Sequence, residues 1–209
     1  MLTYHRLDRT FFARDTLTVA RALLGQRLVR IAGGLRLSGL VCEVEAYAGP
    51  DDAASHAYRR TPRSAIMYGP PGHAYVYFIY GMYFCLNAVT DADGHPGAVL
   101  LRALLPLNGI ETMRERRPGV RDGQLADGPG KLCAALGISA AQNGLDLCTS
   151  EELFLEACAA VPDEGVVRTP RVGVRGDAGA MSRPWRFVWR PARHELPPAV
   201  ASGALPTVG

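Results

Sequence analysis

The chain has 209 residues, of which 48% are hydrophobic, and its 23 basic and 20 acidic side chains leave a net charge of +3. That length fits one globular domain with a substantial core, or at most two small ones, and we read one domain. A charge so near balance neither demands a nucleic-acid partner nor excludes a local basic face.

Cys42, Cys85, Cys133, Cys148 and Cys158 are widely spaced among apolar neighbours and form no C-x-x-C. They read as buried thiols of a reducing compartment. With no H-E-x-x-H and no acidic calcium loop, neither a metal site nor a cofactor is expected. The first residues lack the apolar core of a signal peptide and no run of about 18 apolar residues occurs, so a cytoplasmic chain without membrane association is expected. Lys131 is the only lysine. Compositional bias explains that skew, as does a preference for forked guanidinium groups that grip phosphates.

In chain order, Asp15 or Thr16 can cap a helix carrying Leu17, Ala20, Leu23 and Leu24, with Gly25 as its stop. Residues 28–31, 35–37 and 40–47 read as strands, the first two joined by Gly33-Gly34. Gly49-Pro50-Asp51-Asp52 ends the third, and the stretch through Pro70-Pro71-Gly72 reads as loop or short helix. Tyr75 to Tyr80 and Tyr83 to Val89 predict a hairpin with Gly81 at its tip. If Ile79 faces Tyr83, then Tyr75, Tyr77, Cys85 and Asn87 share one face and Tyr80 stands exposed at the apex.

Residues 98–104 predict a strand interrupted by Arg102, and Asn108 with Glu111 predicts the start of a helix over 110–117 that Pro118 and Gly119 end. Gly128-Pro129-Gly130-Lys131 opens a helix through Leu136 that Gly137 closes, without the full spacing of a nucleotide-binding loop. Residues 153–155, 171–174 and 185–189 read as strands of a mixed or antiparallel sheet, with no βαβ repeat. From Pro191 to Gly209 the Pro-, Ala- and Gly-rich composition predicts a disordered tail.

Seven of the eight tyrosines lie between positions 47 and 83. Along the third strand Glu43, Glu45 and Tyr47 share a face. Each feature has an ordinary explanation: a wet strand face, tyrosines packed for their strand propensity, an edge arginine at 102, a structural histidine at 56.

Taken together and in order, these segments resemble the alkyladenine, or methylpurine, DNA glycosylase family. The resemblance runs through Ala22-Leu23-Leu24-Gly25, Glu43-Val44-Glu45-Ala46-Tyr47-Ala48-Gly49-Pro50, Ala54-Ser55-His56, Thr61-Pro62-Arg63, Tyr75 to Asn87, Leu100-Leu101-Arg102-Ala103 and Gly128 to Cys133. It covers residues 1–190. It implies a compact single-domain α/β mixed (α+β) fold with a curved, mostly antiparallel sheet, flanking helices and a protruding β-hairpin. It also implies a monomer that flips damaged purines, alkylated or deaminated, out of double-stranded DNA and hydrolyses the N-glycosidic bond to leave an abasic site.

Position by position, Glu45 resembles the family's general base and Arg102 the arginine that helps hold its water. Tyr47, His56 and Tyr77 resemble the walls that stack the extruded base, and Asn87 the residue that clashes with the guanine amine. Tyr80 resembles the intercalating side chain, and Thr61, Arg63, Met82 and Tyr83 resemble DNA contacts. Lys131 matches a position whose role the residues do not define. Two loops depart from the pattern, a short one between His56 and Thr61 and an expanded one from Asp91 to Gly97, which bears on phosphate contacts more than on catalysis.

Two rival readings use the same residues. A non-catalytic module for damaged or single-stranded nucleic acid would use the aromatic platform but has no need of Glu45 beside Arg102. A glycoside hydrolase using Glu43 and Glu45 would place both carboxylates on one strand two residues apart, a poor arrangement for flanking one bond.

Overall fold

The computed structural model describes residues 5–191. The long strand β2 (Leu35–Ala48) organises it, with β5 (Gly97–Asn108) along one edge. On the other edge, β1 (Arg27–Ala32) pairs with its first half and β8 (Arg186–Trp189) with Glu43, Val44 and Glu45. The hairpin β3 (Ala74–Ile79) and β4 (Tyr83–Thr90) extends the sheet beyond β5, β6 (Leu153–Glu156) extends it beyond β1, and β7 (Val166–Thr169) lies outside β8. All pairings among these eight strands are antiparallel, and the sheet does not close. This is the single α+β domain expected.

The α-helices among the described residues are α1 (Arg9–Phe12), α2 (Thr16–Leu23), α3 (Ile110–Arg116), α4 (Pro129–Leu136) and α5 (Ala178–Ser182). Asp15 caps α2 by accepting a 2.8 Å bond from the Thr18 N–H, which turns Val19, Ala20 and Leu23 into the core. Pro129 opens α4 and Gly137, at φ 66°, closes it, so Leu132, Cys133, Ala135 and Leu136 are buried. The core joins these helix faces to Val44, Leu86, Val99, Leu101 and Phe187 from the sheet. Burial of each such large side chain contributes roughly 1.5–3 kcal/mol.

Several expectations change. Residues 35–37 and 40–47 form one strand, because Gly39 lets β5 come so close that a Cβ there would lie 2.8 Å from the Leu105 carbonyl oxygen. Asn108 does not cap α3: its side chain accepts a 2.7 Å bond from the Ser38 hydroxyl, and Gly109, at φ 73°, takes the cap position. Residues 171–174 form a loop, since Arg171 is drawn inward to Asp52 and not into a ladder. Strand β7 and helix α1, both four residues long, were too short to give a periodic signal. The tail from Pro191 lies, apart from that residue, outside the described residues.

Candidate functional site

Strand register places the site residues in a row. Tyr75 pairs with Asn87, Asn87 with Leu100, Leu100 with Glu45, and Glu45 with Arg186. Directly paired antiparallel residues point to the same side of a sheet, so one face collects these side chains from β3, β4, β5, β2 and β8. One step along, Tyr77 pairs with Cys85, which completes the predicted face of Tyr75, Tyr77, Cys85 and Asn87.

Over this face lies a cleft of about 620 Å³. Glu45, Tyr47, His56, Tyr77, Asn87, Arg102, Tyr80 and Tyr83 all line it, brought together from positions far apart in the chain. Thr61, Arg63 and Met82 are exposed and do not line it.

Glu45 is fully buried. Its Oε2 accepts a 2.7 Å bond from the Tyr47 hydroxyl, its Oε1 accepts a 2.7 Å bond from the Val172 N–H, and Arg102 Nη1 lies 3.2 Å from Oε1. Burial opposes the charge of Arg102, but Glu45 and Glu43 more than offset it and raise its pKa. Burial also raises the Tyr47 pKa, and the Glu45 charge raises it further, so the hydroxyl remains a donor.

His56 is exposed to the open side of the cleft, yet its ring packs edge-on against Tyr77 at 4.7 Å and its Nδ1 lies 2.9 Å from the Tyr75 hydroxyl. Desolvation on that packed side, helped by the Arg63 charge, lowers its pKa and favours neutral imidazole. Arg63 sits 4.7 Å from the centre of the Tyr77 ring. Asn87 is buried and donates a 3.0 Å bond to the Tyr75 carbonyl, which fixes its amide at the cleft wall.

At the hairpin tip Tyr80 and Gly81 both adopt left-handed backbone, φ 54° and 69°, and Met82 N–H donates to the Ile79 carbonyl. This three-residue loop, Tyr80-Gly81-Met82, closes the hairpin and throws Tyr80 outward, 78% exposed, with Met82 at 65%. A bulky residue at positive φ is strained, by about 1–2 kcal/mol. The approach of α4 is close as well: a Cβ at Gly130 would lie 2.8 Å from the Tyr83 ring. Lys131, also lining the cleft, pairs with Asp127 at 2.9 Å. Thr61 exchanges bonds with the Ser64 hydroxyl at 2.9 and 3.0 Å and so closes its own turn.

Behind the cleft-lining residues stand ion pairs that no sequence pattern announces. Arg171 forks onto Asp52 at 2.5 and 2.7 Å, with both side chains fully buried, and stacks 4.7 Å from the Tyr47 ring. The pair anchors the loop whose next residue, Val172, bonds Glu45. Glu43 binds both Arg102 and Arg186 through Oε1, at 2.6 and 2.7 Å. Arg171 and Arg186 fall within stretches expected to be strands, 171–174 and 185–189, and nothing in those stretches names a partner for either. Among the described residues, no cluster of three His, Cys, Asp or Glu side chains could hold a metal ion, and no helix is long and apolar enough to cross a membrane.

Residues 10–193 match the family model described as Methylpurine-DNA glycosylase (MPG). A protein of Methanocella arvoryzae is 50% identical over 183 residues, covering 87% of this chain and 90% of the relative. Relatives from Alkaliphilus oremlandii, 47% identical over 192 residues, and Bacillus mycoides, 45% identical over 195, are each covered to 94%, and span 87% and 86% of this chain. All three carry the name "Putative 3-methyladenine DNA glycosylase".

Proposed function

The chain belongs to the methylpurine-DNA glycosylase family, and we propose that it takes a damaged purine, 3-methyladenine among them, out of duplex DNA into the aromatic cleft and hydrolyses its N-glycosidic bond. The observation that carries this reading is the buried carboxylate of Glu45, held beside Arg102 where three aromatic walls, Tyr47, His56 and Tyr77, meet.

Glu45 accepts a proton from a water admitted with the substrate. The water oxygen bonds to the anomeric carbon, the carbon–nitrogen bond breaks, and its electron pair leaves with the purine. A buried anion also steadies the positive charge that develops on the sugar. A purine methylated at N3 or N7 already carries positive charge and departs as a neutral base, so no side-chain acid is required for it. Deaminated purines such as hypoxanthine are neutral and need a proton from elsewhere.

The walls supply selectivity. Stacking contributes about 1–3 kcal/mol per base, and electron-poor alkylated rings gain further from the electron-rich faces of Tyr47 and Tyr77. Asn87 stands where it would crowd the exocyclic amine of guanine. Tyr80 fills the gap left by the extruded nucleotide, while Thr61, Arg63, Met82 and Tyr83 hold the DNA around it. The protein acts as a monomer in the cytoplasm, on the DNA there. Free methylated base released from duplex DNA, with an intact abasic strand remaining, is the result expected of the purified protein; no release from any alkylated or deaminated duplex would refute the reading.

A further inference from the structure

The register of β2 and β5 breaks on both sides of Glu43. Val41 faces Leu104, Glu43 faces Ala103, and Val44 faces Leu101, which leaves Cys42 and Arg102 outside the ladder. Paired bulges of this kind free a side chain from the regular pleat and re-aim it. Arg102 is the residue freed. Its Nε donates to Glu43 Oε1 at 2.6 Å while Nη1 of the same planar group reaches Glu45 Oε1 at 3.2 Å. Arg186, brought by β8, donates to that same Glu43 oxygen at 2.7 Å and reaches the Thr169 hydroxyl at 3.2 Å.

We propose that Glu43 is a positioning residue for base excision: it holds one side of the Arg102 guanidinium so that the other side addresses Glu45, and Arg186 fixes Glu43 in turn. The proposal rests on Glu45 as the base. The planar guanidinium makes it work, because pinning Nε sets the direction of both Nη atoms. Burial alone would favour protonated Glu43, but the hydrogen bonds from Arg186 and Arg102 outweigh it and lower its pKa, so the carboxylate is charged at neutral pH.

The charged set is small. Around Glu43 lie Arg102 from β5, Arg186 from β8, and Glu45 and Cys42 on its own strand; around Glu45 lie Arg102, Tyr47 and Cys85. Burial raises the pKa of Cys42, Tyr47 and Cys85, which remain uncharged. Asp127, which also acts on Cys42, is paired with Lys131. Two carboxylates therefore balance two guanidinium groups, and removing any one of the four changes the field at Glu45.

The test is single-turnover base release from methylated duplex DNA, with affinity for an abasic-site duplex measured beside it, for Glu43→Gln, Glu43→Asp, Arg186→Gln and Glu45→Gln. Glu43→Gln is expected to slow release about 10- to 100-fold by misplacing Arg102 and to leave abasic-duplex affinity unchanged, and Glu43→Asp restores part of the rate. A wild-type rate in Glu43→Gln, with Glu45→Gln inactive, overturns this proposal alone. Wild-type turnover in Glu45→Gln overturns both it and the assignment of the base. Should Glu43→Gln fail to fold, Arg186→Gln decides: slowed release at unchanged abasic-duplex affinity supports the proposal and a wild-type rate overturns it.

Discussion

The main-chain N–H of Val172 donates a 2.7 Å hydrogen bond to Oε1 of Glu45, joining residues 127 positions apart. A backbone donor carries no net charge, so it orients the carboxylate without replacing the proton that a base must accept. The other oxygen is held by Tyr47 at 2.7 Å. Restrained on both oxygens, Glu45, the proposed base, has little rotational freedom left to lose when substrate arrives.

Glu45→Gln keeps nearly the same shape and size but cannot take a proton from water. Base release is expected to fall by at least about 10²-fold, the lower end of what a general base contributes, while binding to an abasic-site duplex persists. Single-turnover assays with a parallel binding titration check this, and unchanged turnover would remove Glu45 from its role.

Tyr80, the proposed wedge, combines an exposed ring with left-handed backbone at φ 54°. Tyr80→Gly deletes the ring while suiting that backbone, so the turn survives and the wedge does not. A fluorescent reporter base in the duplex is expected to show a smaller flipping signal than with the wild-type protein. An undiminished signal would place the wedge elsewhere.

Asp52 and Arg171 are both completely buried, and Asp52→Ala strands a guanidinium without its anion. Breaking such a pair from one side costs about 3–5 kcal/mol, so a marked drop in the unfolding midpoint is expected. Release is expected to slow as well, because the anchor of Val172 and the stacking partner of Tyr47 loosen together. Chemical denaturation of the variant against the wild type measures the first effect, and a difference below about 1 kcal/mol would refute it.

Stability is expected to fall in two stages on acidification. His56 has a folded pKa below its ordinary value, so its neutral form favours the native state: that contribution is complete above the ordinary histidine pKa and is lost as pH falls through the folded one. Glu43 is lowered too, so its contribution is present above the ordinary glutamate pKa and disappears as pH falls through its own lower value. Urea midpoints measured from pH 8 downward check this, and His56→Gln should erase the upper stage only.

Much of the site could be read from the chain. Alternation fixed the common face of Tyr75, Tyr77, Cys85 and Asn87, because side chains in a hairpin follow a period of two once Ile79 is set opposite Tyr83. The capped helices at Asp15 and Gly137 were readable for a similar reason, since capping chemistry acts within a few residues. The ordered set of segments from Ala22 to Cys133, and not any one of them, carried the resemblance to the family.

What the sequence determined, then, was the larger part of what neighbours along the chain govern: the longer strands and helices, the hairpin, and the residue types suited to stacking and proton transfer. Only the tertiary structure decided what Glu45 touches. The Val172 N–H, the Asp52–Arg171 anchor and the Arg186–Glu43–Arg102 relay join distant segments through cross-strand register and a doubly bulged ladder. Such contacts are set by how the sheet twists and where its strands slip, and no local pattern encodes which arginine will meet which carboxylate.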